Sequence, residues 1–408
     1  MKKYSVFLTL LCLSLFLSCE KLLPPEPAEN EVLDGPMEGL TSAQRQIFLT
    51  GDVGFSEVFS PQTGLGPYFV ANSCAGCHAG DGKGHPSTTL TRFGRGIIGQ
   101  EFDHLSEYGG PQLQNRAIPG FPAEELPAQA NRFSQFTAPA VTGLGLLAAV
   151  SDQTLLLLHD PNDANGDGIS GKVSLIYPPN YFTPSSIHLQ DGQGRFIGRF
   201  GKKAAAIDLL HQTVNAYKQD MGITSDFDMV DPINYAIANH PTDPVADPEI
   251  PASTIHSVVF YLRTLKAPLP RNQDDPQIVQ GKQLFLDVQC GKCHIPTLKT
   301  ALSDIAVLSQ KEFHPYTDLL LHDMGQALDN GYTEGNAESY EWRTPPLWGL
   351  GLSRDAQGGE YYLLHDGRAR SIEEAILLHG GEAEGSKEAY LQLSATDKVA
   401  LIAFLESL

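Results

Sequence analysis

The sequence is short of several things that would have settled its class at once. Lys and Arg number 28 against 48 Asp and Glu, a net charge of −20, and no basic stripe interrupts the acidic balance. That excludes a nucleic-acid surface. An acidic exterior instead suits a cationic partner such as a basic electron donor. The apolar run at residues 6–17 is too short to span a bilayer comfortably. Tryptophan occurs only as Trp342 and Trp348. Cysteine is scarce, with six in 408 residues, so a disulfide-stapled scaffold is not expected.

Four of those cysteines fall in two matching stretches, Cys74-Ala75-Gly76-Cys77-His78 and Cys290-Gly291-Lys292-Cys293-His294. Each reads as a covalent haem c attachment site. Two thiols three residues apart lie on one side of a tight turn, where both can add to the vinyl groups. The adjacent His then offers its imidazole to the iron as proximal ligand. Two zinc half-sites or a redox cysteine pair are the competing readings, and the His carried by both copies argues against them.

The remaining two cysteines lie near the start. Lys2 and Lys3, the apolar run and then Phe16-Leu17-Ser18-Cys19 have the form of a lipoprotein signal peptide over residues 1–19, with Cys19 lipidated. A plain secretory cleavage or an uncleaved anchor is the alternative. The expected location is outside the cytoplasm, as a periplasmic or outer-membrane lipoprotein of a Gram-negative bacterium, where c-type haem is attached. Residues 20–40 form a Pro- and Glu-rich tether. Cys12 leaves with the signal and Cys19 takes lipid, so no thiol remains for a disulfide or a nucleophile. Redox chemistry must then run through the haems.

Gly at 39 and Pro at 28 point to loop-rich architecture rather than a helical bundle. The expected fold is mainly α with much irregular loop. It comprises two cytochrome c-like haem domains, residues 41–270, enlarged by insertions, and residues 271–408. The boundary is set at Pro268 and Pro270. Thr41-Ser42-Ala43-Gln44 opens a helix. Helices are expected over 255–265, 278–286 and 394–408, the last begun by Ser394 and Asp397. Gly281, four before Phe285, permits a close helix crossing. Residues 95–135 read as irregular, and 224–254 as a loop rich in Asp, Pro and Thr. Asp163, Asn165 and Asp167 before Gly168 match the first half of a calcium loop. The later bidentate Glu is missing, so a self-bonded Asx turn stands beside calcium as an explanation.

Taken together, the chain resembles the di-haem c oxidoreductases labelled thiol oxidoreductases, relatives of bacterial di-haem cytochrome c peroxidases and of MauG enzymes. The resemblance covers most of residues 41–408. It rests on Gly64-Leu65-Gly66-Pro67, both haem motifs, Gly166-Asp167-Gly168-Ile169-Ser170-Gly171 and Asp220-Met221-Gly222-Ile223-Thr224. Leu319 to Gly325, Glu341 to Leu350 and Leu364-His365-Asp366-Gly367-Arg368 complete it.

The resemblance implies a distal ligand to the second haem fourteen residues after His365, at His379. Ser371 and Glu374 form a capping box opening a short helix that stops at Gly380-Gly381, leaving His379 on its last turn. Met324 is the rival ligand. The family also implies Gln212 and Asp220 as catalytic residues over the first haem, with Asp220 moving a proton between peroxide oxygens. His85 and His104 are the residues that could close that iron. The relatives' relay Trp is absent from Arg199-Phe200-Gly201-Lys202-Lys203.

The implied function is an exported di-haem oxidoreductase. An oxidant such as peroxide would be reduced at the first haem, with electrons fed through the second by a small redox partner. A purely electron-transferring di-haem cytochrome is the alternative, with a haem accessory of a surface uptake assembly behind it.

Overall fold

A computed structural model describes residues 28–97, 101–239 and 241–408. The expected signal peptide, Cys19 and the first part of the tether lie outside the described residues. Two units are distinguished, Met1–Val32 and Leu33–Leu408. In the first, the described part is one short 3-10 turn, Glu29–Glu31. The second holds both Cys-x-x-Cys-His stretches. No helix among the described residues is long and apolar enough to cross a membrane.

In Leu33–Leu408, helices and irregular loop carry the chain. Strands among the described residues form only two-stranded antiparallel sheets. Helix α1, Ser42–Ser56, begins where Thr41 accepts the Gln44 amide at 3.2 Å and the Gln44 side chain accepts the Thr41 amide at 3.0 Å. Both orphan donors are met, as a capping box requires. Helix α2, Leu209–Met221, is capped by Asp208 on the His211 amide at 2.7 Å. It ends at Gly222, whose φ of 72° is the left-handed conformation that glycine adopts without strain. Helix α3 is Ala252–Thr264, and helix α4, Pro276–Asp287, starts with Pro276 behind the Asp275 cap. Helix α5 is Ile372–Leu377, and α6, Ala395–Ser407, is opened by Ser394 as expected.

Two helix crossings organise the fold. Helices α4 and α6 meet at Gly281, where a Cβ would stand 2.0 Å from the Ala400 carbonyl oxygen. Only glycine lets the backbones approach so closely. Beside the crossing, Phe285 and Phe404 pack with ring centroids 5.5 Å apart. On α6, Leu401, Phe404, Leu405 and Leu408 are all buried, the apolar face the sequence spacing predicts.

Helices α1 and α3 repeat the device. A Cβ on Gly51 would lie 2.0 Å from the Ser257 oxygen, and Phe55 packs on Tyr261 at 5.4 Å. Each Cys-x-x-Cys-His stretch follows the first helix of its own crossing.

Between residues 144 and 158 the chain forms two short helices, Leu144–Ala148 and Asp152–Leu158. Ser151 caps the second by accepting the Thr154 amide at 3.2 Å, which restarts the helix there. The 95–135 region is less irregular at its end than its sequence suggests. Arg132–Phe136 pairs with Leu90–Gly94, Phe136 opposite Leu90.

Candidate haem cavity

Both stretches open onto one continuous cavity of about 700 Å³. Cys74, Cys77 and His78 line it at one place, Cys290, Cys293 and His294 at another. Each stretch is a single tight turn. The His78 amide bonds the Cys74 carbonyl at 2.9 Å and the His294 amide bonds that of Cys290 at 3.0 Å. Ser73 caps the first turn through the Gly76 amide at 3.0 Å. None of these four cysteines is in a disulfide. Burial pushes the thiols of Cys74 and Cys290 up to about 12 and that of Cys77 to about 11. Such thiols are protonated at neutral pH, so they are poor free nucleophiles.

The two histidines are held alike. His78 Nδ1 lies 2.8 Å from the Pro139 carbonyl oxygen, and His294 Nδ1 lies 2.9 Å from that of Tyr316. A carbonyl can only accept, so Nδ1 carries the proton and the Nε2 lone pair is left free. Burial lowers both rings to about 4, which keeps them neutral. A neutral imidazole with its proton fixed on the outer nitrogen is the form a metal ligand takes.

His379 adopts the same state: its Nδ1 is 2.7 Å from the Ala375 carbonyl, one helical turn back, and burial lowers its pKa. It lines the cavity, and its charged form would depress the pKa of His294, so the two rings are neighbours. Ser371 caps α5 through the Glu374 amide at 3.0 Å. The return bond goes from the Arg370 amide to Glu374 at 2.6 Å, one residue earlier than a strict capping box. Met324 also lines the cavity, but it packs with Phe136, Leu328, Tyr332 and Trp342.

Gln212 and Asp220, both on α2, line the cavity. The charge of Asp220 reaches Cys74 and Cys77, which places it beside the first stretch. Burial raises its carboxyl pKa, with a partial offset from Gln112, whose Nε2 donates to Oδ1 at 2.7 Å, and from Arg92. Gln112 and Gln114 both donate to the Gln219 carbonyl, at 2.8 and 3.1 Å, and Arg92 donates to the Gln219 side chain at 2.8 Å.

This clamp on the end of α2 escaped sequence reasoning. Its members sit 105 to 127 residues from their partners, and Gln carries no motif of its own. His104 lines the cavity with a buried Nδ1 lacking a hydrogen-bond partner, whereas the Nδ1 of His85 is engaged by Ser87.

Several half-buried basic side chains complete the wall. Lys83 is lowered to about 7 and Lys202 well below its ordinary value, chiefly by burial. Neither makes an ion pair among the described residues. Arg343 donates to the carbonyls of Gly201 and Thr344 at 2.9 and 3.1 Å, not to a carboxylate. Burying a cation without a carboxylate partner is costly unless a ligand supplies the negative charge. Haem does so through its propionates, and it also offers a flat apolar face to the walls. The thiols, the prepared imidazoles and these cations therefore fit the group.

His365 stacks flat on Trp342, centroids 3.8 Å apart, with the Lys203 ammonium 3.9 Å from the Trp342 ring. His322 is held between Asp318 at 2.8 Å and Glu382 at 2.7 Å, and lies 3.6 Å from the Cys293 sulfur. Burial opposes a charged ring there, but the bonds to Asp318, Cys293 and Glu382 override it and push His322 up to about 12.

The Asp163–Asp167 loop meets the second stretch at Lys292. Asp163 accepts the amides of Asp167 and Gly168 at 2.8 and 3.1 Å, and Asn165 accepts that of Asp167 at 2.9 Å. Lys292 stands 3.4 Å from the Asp167 carboxylate.

Residues 130–408 match the family described as "Di-haem oxidoreductase, putative peroxidase", more than half of the sequence. The chain belongs to the di-haem oxidoreductase family. The matched stretch contains Cys290 to His294, His379, Asp220 and Gln212, and it begins after His78. A comparison with curated protein sequences gives no match.

Among solved structures, the chain is similar to a Kuenenia stuttgartiensis hydrazine synthase at 14% identity and a TM-score of 0.38, over 95% of each chain. It is also similar to a MauG-like protein associated with microbial copper homeostasis, at 14% identity and a TM-score of 0.39. That match spans 95% of this chain and 94% of the other. Neither similarity reaches the level of a shared fold.

Proposed function

We propose that the chain is a di-haem c oxidoreductase. Cys74 and Cys77 hold one haem, with His78 as its proximal ligand. Cys290 and Cys293 hold the other, between His294 and His379. The observation that carries this reading is the pair of imidazoles fixed by the Pro139 and Tyr316 carbonyls, each beside a thiol pair lining one cavity. Bound there, the two haems supply one-electron chemistry twice over, the number of electrons that reduction of a peroxide requires.

The protein's part is proton handling and positioning. Asp220, held protonated to higher pH than an exposed carboxyl by its burial, donates a proton to the leaving oxygen. Gln112 keeps Oδ1 in place, and Arg92 and Gln114 fix the preceding turn through Gln219. Gln212 stands one face along α2 as a polar group toward the oxidant.

Haem content tests the assignment. Wild type should carry two haems per chain in a pyridine haemochromogen assay. Cys74→Ser with Cys77→Ser, and Cys290→Ser with Cys293→Ser, should each carry one. Two haems retained in either double variant would contradict it.

The unpartnered His104 favours a second reading, a purely electron-transferring cytochrome in which that ring closes the first iron. On either reading the chain is exported, with Cys19 lipidated, and a cationic redox protein brings its electrons. Cys19→Ala should move the protein from the membrane to the soluble periplasmic fraction, and continued membrane association would overturn the anchor. At Asp163, Asn165 and Asp167 the side chains accept backbone amides, as a self-bonded Asx turn does, and calcium there stays a separate proposal.

A further inference from the structure

A second acidic group lies in the segment between α2 and α3. In the loop after α2, one carboxylate oxygen each of Asp231, Asp247 and Glu249 lies within 4.8 Å of the other two. Oxygens sharing one calcium ion at about 2.4 Å stand at most about 4.8 Å apart. Asp231 is 6% exposed, yet its Oδ1 has no hydrogen-bond partner. Asp243, 8% exposed, leaves Oδ2 equally bare, and Glu249 leaves Oε1 bare. None of the four carboxylates makes an ion pair among the described residues.

Burial raises Asp231 and the charges of Asp247, Asp243 and Glu249 raise it further, to about 7. Buried, unpaired and mutually repelling carboxylates are unfavourable without a counter-charge. The donor set is oxygen only, which selects a hard cation over zinc or copper. Asp247 is exposed, so the group is open to solvent on one side.

We propose that Asp231, Asp247 and Glu249 bind one calcium ion, with Asp243 alongside. The site braces the turn that carries Asp220. Thr224 is fully buried, and its amide bonds Glu249 at 2.6 Å while its hydroxyl bonds Asp247 at 2.8 Å. Met221, Ile223 and Ile250 pack in one cluster against that turn. A cation drawing Asp247 and Glu249 together tightens the grip on Thr224, four residues from Asp220. The alternative without a cation is that the cluster simply holds protons.

The experiment is calorimetric titration of CaCl2 into the full haem-loaded chain after chelator treatment, with thermal melting in parallel. The expected result is one Ca2+ per chain and a higher melting temperature. Asp231→Asn and Glu249→Gln should each weaken binding at least tenfold, and Asp163→Asn should leave it unchanged. The calcium-free Asp231→Asn chain should melt no lower than calcium-free wild type, since it loses a repulsive charge. Should it misfold, as read from its haem absorbance, the exposed Asp247→Asn serves in its place. No binding by wild type, or binding that survives loss of both Asp231 and Glu249, would overturn the proposal.

Discussion

The two Cys-x-x-Cys-His units share a scaffold and differ in what faces them. Gly51, Phe55, Ser257 and Tyr261 in one occupy the roles of Gly281, Phe285, Ala400 and Phe404 in the other, with the same 2.0 Å approach at each glycine. The imidazoles of His78 and His294 both rest on a backbone carbonyl. The opposite walls diverge. The second unit presents His379, its proton fixed on Ala375. The first presents Asp220 and the polar clamp of Gln112, Gln114 and Arg92. On the proposed reading, holding a cofactor and using it are separate problems: the repeated helix crossing bears on the first, and unrepeated segments at 90–114 and 209–221 on the second.

The largest effect expected from this asymmetry falls on one unit only. Asp220→Asn should lower peroxide turnover about 10²- to 10⁴-fold, the usual contribution of a general acid. The absorbance of both haems should stay intact. Equal turnover in the variant would remove Asp220 from the chemistry.

His379→Ala should act on the other unit alone, raising its midpoint potential by about 0.1 V of the ~0.8 V range that axial ligation spans. A redox titration in which both haems keep their potentials would leave His379 without an axial role.

Symmetry itself can be probed with Gly51→Ala and Gly281→Ala. Each places a methyl against a backbone carbonyl and should cost about 1–3 kcal/mol or more in chemical denaturation. A cost at one glycine and none at the other would break the equivalence of the two crossings.

The smallest effect concerns pH. Asp231 and Glu249 are raised from 3.8 and 4.5 to about 7. Folded carboxyls with raised pKa bind more protons than unfolded ones, so the calcium-free chain should lose stability as pH rises from about 4 through 7. Melting temperatures across that range should show the decline, and CaCl2 should flatten it.

What the sequence made legible was local. The haem turns, the Thr41 and Ser394 caps and the Gly281 crossing each depend on residues a few positions apart. Gly51 and Phe55 repeat the Gly281–Phe285 spacing, but Gly54 interrupts the comparison, so only structure pairs the two crossings. The helix end beside His379 was legible because Ser371 and Gly380 mark it.

Other parts had no linear signal. The acceptors at Pro139 and Tyr316 are backbone atoms, which leave no side-chain trace. Gln112 reaches Asp220 across more than a hundred residues. Asp231 joins Asp247 and Glu249 at a spacing unlike the twelve-residue EF-hand loop, inside a segment whose composition reads only as loop. In the Asp163 loop the side-chain oxygens accept their own backbone amides, a local pattern the Asp-Asn-Asp-Gly letters signal.

The inequality of the two units is tested most directly by an electron paramagnetic resonance spectrum of the fully oxidised, haem-loaded protein. The account predicts one high-spin ferric signal from the His78 side, where Asp220 faces the cavity, and one low-spin signal from the His294–His379 side. Two low-spin signals that persist unchanged on half-reduction would contradict it.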